Sequence, residues 1–203
     1  METNVLFNQK ASFMKSIFFI LIPAFFIVNA CSNINGRGVD GSAGLVKDTI
    51  KIAAIDSVTT IINKQWKLGP ELHTIPVNTR DTVQYLEING EPERISSMFF
   101  TDTTLTWVVF HQINNVRVLA RFRERRETPK PSVKEVLAYY DKGKMFFTAE
   151  RSKELGEGEG TGAFRYLPFI ENSRTPAEVE ALFEPYWQIS KKAIDAERSS
   201  TKQ

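Results

Sequence analysis

Residues 104–126 read TLTWVVFHQINNVRVLARFRERR, and this stretch decides the fold class. It divides at Asn114-Asn115, residues that tolerate the left-handed backbone of a tight hairpin turn. On either side, β-branched and aromatic residues are enriched, as in strands. With Asn114-Asn115 as the loop, Ile113 pairs with Val116, His111 with Val118, Val109 with Ala120 and Trp107 with Phe122. One face is then almost wholly apolar. The other carries Arg117, Arg121, Arg123 and Arg125 beside Thr106 and Gln112. A slip of one residue mixes the faces, which a sheet with one buried side resists.

The same texture runs from Leu72 to Arg151. Strands are expected at 72–77, 83–88, 94–101, 104–113, 116–125, 133–140 and 145–151, with turns at Asn89-Gly90, Asp102-Thr103, Asn114-Asn115 and Asp141-Lys142-Gly143. Tyr140 and Phe146 flank the last turn and form a natural cross-strand pair. A glycine-rich loop, GEGEGTG at 156–162, precedes a final strand expected within 163–170. No internal repeat stands out.

Helices are expected at both ends of this meander. In Leu45–Leu68, Ile55, Val58, Ile62 and Trp66 recur at helical spacing, extended upstream by Ile50 and Ala54, and Gly69-Pro70 ends the segment. Downstream, Thr175-Pro176-Ala177-Glu178 has the pattern of a capping box with Pro at the first helical position. Val179, Leu182, Phe183, Tyr186, Ile189 and Ala193 make an apolar stripe, Pro185 predicts a kink, and the chain after Ile194 is expected to fray. The expectation is an α+β fold: an antiparallel β-meander of five to seven strands with an N-terminal and a kinked C-terminal helix. Both helices are expected on one face, leaving the arginine face open. The domain spans 45–196 and a polar tail spans 197–203.

Ahead of the domain, residues 17–28 form an uncharged apolar run, too short for the roughly 20 residues of a membrane-spanning helix. Lys15 precedes it, as in a signal peptide. Val28-Asn29-Ala30-Cys31 resembles a bacterial lipobox. That resemblance implies a signal peptide over 1–30, cleavage after Ala30 and diacylglyceryl modification of the Cys31 thiol. Met14-Lys15-Ser16 would open a shorter, complete signal peptide, so translation is expected to start at Met14. Residues 31–44 then form the lipidated cysteine and a flexible Gly-rich tether reaching about 20 Å. Ser32 stands where inner-membrane lipoproteins of enteric bacteria carry Asp. This favours an outer-membrane anchor facing the periplasm.

Composition narrows the function classes. The chain has 26 basic and 24 acidic residues, a balance that gives no reason to expect a nucleic-acid partner. Its one cysteine excludes an intrachain disulfide or a multi-cysteine metal site. No motif demands a cofactor.

Four groups of residues invite a chemical reading. His111, on the expected core face, has no carboxylate or serine at a spacing that completes a triad, so a hydrogen-bonded structural histidine is the plainer reading. His73 stands alone in a strand-like segment. Arg117, Arg121, Arg123 and Arg125 suit recognition of an anion or an acidic protein patch, or form a solvated face paired with acids such as Glu124 and Glu127. Glu154, Glu157 and Glu159 lack the ligand spacing of a calcium loop. The aromatics Phe99, Phe100, Trp107, Phe110, Tyr139, Tyr140, Phe146 and Phe147 serve either a core or a ligand platform.

The lipobox, the tether, the Ile-rich helix and the segments Ile88-Asn89-Gly90-Glu91 and Tyr139-Tyr140-Asp141-Lys142-Gly143-Lys144-Met145-Phe146-Phe147 together resemble small uncharacterised envelope lipoproteins. The second segment is similar to a YYDNGKL-type hairpin. The resemblance implies a lipid-anchored membrane partner and carries no catalytic residue. The function expected is a non-enzymatic binding or scaffolding module of the cell envelope, with an envelope protein or an anionic ligand as partner. An inhibitor or immunity-type protein is the first alternative. A cell-wall glycan hydrolase using Glu150 and Glu154 is the second, and it requires the two acids about 5–9.5 Å apart.

Overall fold

The computed structural model describes residues 42–69, 72–156 and 158–200, with side chains of the first helix from Asp48 on. Cys31, Ala30 and the apolar run before them lie outside the described residues. Helix α1 spans Ser42–Leu68. Seven strands follow: β1 (Leu72–Pro76), β2 (Thr82–Ile88), β3 (Glu91–Phe100), β4 (Thr104–Ile113), β5 (Val116–Arg126), β6 (Ser132–Asp141) and β7 (Lys144–Glu154). A short 3-10 turn at Ala163–Tyr166 precedes the two-residue β8 (Ile170–Glu171), and α2 spans Pro176–Ser200. The strands form one antiparallel sheet in sequential order, a meander of eight rather than five to seven. Most of the last strand expected at 163–170 is instead the 3-10 turn and a connection. Phe164 is buried there, which anchors the turn to the sheet.

The three hairpins β2–β3, β4–β5 and β6–β7 share one construction. Each turns through two residues of positive φ: Asn89-Gly90, Asn114-Asn115 and Lys142-Gly143. Consecutive positive φ values match the right-handed twist of the flanking strands, which is why Asn and Gly occupy these sites. Each hairpin then gains an extra residue three positions after its turn. The register shifts lie between Leu86 and Glu87, His111 and Gln112, and Tyr139 and Tyr140, opposite extra residues Glu93, Val118 and Phe146. A bulge of this kind twists the strand and re-aims its side chains. The repeat is structural and escapes the sequence, because the residues around the turns differ.

The second bulge corrects the expected register. Ile113 does oppose Val116, but beyond Val118 the partners become His111–Leu119, Val109–Arg121 and Trp107–Arg123. The third bulge likewise replaces the expected Tyr140–Phe146 pair by Tyr140–Met145 and Tyr139–Phe147.

The helices cover opposite faces of the sheet, not one. Helix α2 packs Val179, Phe183 and Ile194 onto Val83, Tyr85, Ile95, Val108, Phe110, Phe122 and Val136, the main core. Its start is the expected capping box: Thr175 N–H donates to Glu178 Oε2 at 2.8 Å, and Glu178 N–H donates to Thr175 Oγ1 at 3.3 Å. The helix does not fray after Ile194. It continues to Ser200, where Arg198 donates to the Gly90 carbonyl at 2.6 Å beside Glu87.

Helix α1 lies across the other face, with Thr59 and Ile62 buried and Ile52, Ile55 and Trp66 half-buried. Ile50, Ala54 and Val58, expected in the inward stripe, point outward, and Leu68 is 80 % exposed. Both sides of this helix carry apolar residues, so spacing alone did not identify the buried one. No helix among the described residues is long and apolar enough to cross a membrane.

Candidate functional site

The bulges divide the expected arginine row. Arg117 precedes the extra residue and points to the α2 side, whereas Arg121, Arg123 and Arg125 follow it and point to the α1 side. Arg117 Nη1 donates to Glu180 Oε1 at 2.7 Å and to the Tyr140 hydroxyl at 3.2 Å, and its guanidinium lies over Trp187. These contacts tie α2 to β5. Arg121 Nε lies 2.7 Å from Glu135 Oε1, and Arg151 holds the other oxygen of that carboxylate, which is only 2 % exposed. Arg123 lies over Phe164, and Arg125 pairs with Glu127 at the surface. The four arginines therefore form no common anion-binding face. Arg117, Arg121 and Arg125 have acids of their own.

A different arginine emerges on the α1 side. The row running across the sheet along the line of bulges is Leu86, Arg94, His111, Leu119, Tyr139 and Phe147. Between this row and α1 lies a cleft of about 570 Å³, with Asn63, Trp66, Arg94, Trp107, His111 and Arg121 among its lining residues. That is the size range of small-molecule sites, roughly 300–1,000 Å³. Arg94 is 8 % exposed. Its guanidinium stacks on Trp66 with 3.7 Å to the ring centroid, while Nε and Nη1 have no acceptor and no carboxylate pairs with it among the described residues. Burial, and then the nearby charge of Arg121, lower its pKa to about 10, so it remains charged at neutral pH.

His111, opposite Arg94, donates one hydrogen bond from Nε2 to Asn63 Oδ1 at 3.1 Å. With that oxygen as acceptor, the ring proton sits on Nε2 and Nδ1 presents a lone pair. Nδ1 is buried and unpartnered among the described residues. Burial first, then the charges of Arg94 and Arg121, push its pKa down to about 3. The ring is neutral at physiological pH and too weak a base to take a proton readily. Tyr139 closes the far end by donating to Asp56 Oδ1 at 3.0 Å.

Other sequence candidates resolve into local structure. His73 stacks on Tyr85 beside Glu87 and Glu197. Glu159 pairs with Lys153 and caps the Gly156 N–H. Burial raises the Glu150 carboxyl, but hydrogen bonds from Arg174 and Ser173 and the Arg174 charge outweigh it and hold its pKa below the ordinary value. A carboxylate held ionised is a poor general acid. Among the described residues, no group of three or more potential metal ligands converges. Phe110 and Tyr140 of the aromatic set belong to the α2 core, and Trp107 and Tyr139 line the cleft.

Arg94 escaped the sequence reading because it stands at the very start of the strand expected at 94–101, beside Glu91 and Glu93. The signal was countable. With Asp102-Thr103 as the turn, Phe100 opposes Leu105, and counting outward brings Arg94 opposite His111. No family model matches the chain, and no curated protein or solved structure matches it.

Proposed function

We propose that the chain is an exported lipoprotein held by acyl groups on Cys31, after cleavage at Ala30, and that its domain is a non-enzymatic binding module of the cell envelope. The apolar run, the small residue before Cys31 and the tether support the anchor. Two or more acyl chains give stable attachment, whereas one gives marginal, reversible binding. The outer membrane facing the periplasm is the location that Ser32 favours.

The observation that carries the binding reading is Arg94, a buried guanidinium without a carboxylate partner among the described residues, which lines a cleft of ligand size. An uncompensated buried charge is costly, so folding alone gives no reason to keep one there. The cleft's histidine is held neutral with a pKa far below that of a working base, which favours binding over acid–base chemistry. The test is photo-cross-linking in the host from a probe at Thr60, which lines the cleft. Capture of one envelope component by the wild type, lost in Arg94→Met and lost when Cys31→Ala releases the chain from the membrane, is the expected result. A cross-linking pattern identical in all three forms would refute it.

A further inference from the structure

The cleft's unpartnered groups have opposite hydrogen-bonding character. Arg94 offers donors and a positive charge, and His111 offers the Nδ1 lone pair. They are cross-strand partners, and both residues line the cleft. The surroundings carry further charge: Arg121 and Arg151 share the single buried Glu135, and Lys67 and Asp56 also line the cleft. The pair Arg94 and His111 matches an anion with a hydrogen-bond donor beside it. One part of the remaining wall is apolar, with Val109 and Leu119 from the sheet and Leu137, Trp107 and Trp66 around them, while Asp56, Thr59, Thr60 and Lys67 of α1 make the other part polar.

We propose that the cleft binds a small 2-hydroxy carboxylate. The carboxylate pairs with the Arg94 guanidinium, the hydroxyl donates to His111 Nδ1, and the apolar body lies against Val109, Leu119 and Leu137. Trp66 fixes the plane of the guanidinium by stacking on it, which leaves its edge for the planar carboxylate. Asn63 holds the imidazole tautomer from the opposite nitrogen. Inorganic phosphate fits less well, because it lacks an apolar body to lie against Val109, Leu119 and Leu137.

This inference rests on the binding-module reading of the same cleft, and the two fail differently. The experiment uses the full lipidated chain in detergent, titrated with 2-hydroxyhexanoate, hexanoate and inorganic phosphate, and followed by tryptophan fluorescence and thermal shift. Saturable binding of 2-hydroxyhexanoate is expected, weaker by about threefold to tenfold for hexanoate, the range that one hydrogen bond supplies. Arg94→Met should abolish both, and His111→Phe should bring the two carboxylates to equal affinity. The wild-type ranking is decisive even if a variant fails to fold. Phosphate binding as tight as 2-hydroxyhexanoate, or equal affinity of the two carboxylates for the wild type, would overturn the ligand assignment while leaving a binding module. Silence of all three probes, together with no cleft-specific capture in cells, would overturn both.

Discussion

Arg94 and His111 stand directly opposite one another on β3 and β4, and each carries a buried polar atom that no described residue satisfies. A native domain leaves few such atoms unsatisfied. Arg94 contributes two of these atoms and His111 one, both residues line one cleft, and Arg94 differs from Arg117, Arg121 and Arg125 in having no carboxylate within ion-pair distance among the described residues.

Removing the charge should stabilise the unliganded protein. Each unsatisfied buried donor costs about 1–3 kcal/mol, partly offset by about 0.5–2 kcal/mol from stacking on Trp66. Arg94→Met should therefore gain about 1 kcal/mol in urea unfolding, a rise of about 2–4 °C in Tm for a domain of this size. Destabilisation instead would make Arg94 a structural residue.

His111 should make stability depend on pH. Its folded pKa of about 3 lies below the ordinary 6.5, so the unfolded chain binds the proton first as pH falls. The neutral ring's contribution is complete above pH 6.5 and is lost progressively down to about pH 3. Between pH 7.5 and pH 5 that loss is about 2 kcal/mol. His111→Gln should lack this component, and parallel unfolding curves at the two pH values measure the difference.

Glu135 should be the most sensitive acid on the α1 side. It is buried between Arg121 and Arg151, and removing one partner of a buried pair strands the others. Glu135→Gln should cost about 3 kcal/mol. Chemical denaturation checks it, and a loss under about 1 kcal/mol would show that the two guanidiniums find other acceptors, such as the Arg165 and Leu167 carbonyls that Arg151 already contacts.

The cap of α2 offers a local control. Thr175→Ala removes the side-chain acceptor for the Glu178 N–H and should cost about 1 kcal/mol without touching the cleft. Ligand affinity in this variant should equal that of the wild type, as titration would show.

Much of the fold was readable because turn chemistry is local. Asn89-Gly90, Asn114-Asn115 and Lys142-Gly143 demand positive φ, and they placed the hairpins correctly. The α2 start was equally explicit in Thr175 to Glu178. What failed was the choice of face. Both sides of this sheet are covered, so β4 carries Val108 and Phe110 inward to α2 while Trp107, Val109 and His111 turn to α1. Alternation carries little information when both faces are partly apolar. The bulge at Val118 then moved Arg121, Arg123 and Arg125 away from Arg117, and no residue type announces a bulge as Asn-Gly announces a turn. The candidate site was half visible: His111 and Arg121 were noticed, but Arg94, beside a turn and two glutamates, was not.

The most direct test of the central claim is native mass spectrometry of the full chain extracted gently from the membranes of its own host. The wild type should carry, beyond its acyl groups, one small molecule that dissociates on denaturation, and Arg94→Met should carry none. An identical mass for the two proteins, corrected for the substitution and with nothing released on denaturation, would contradict it.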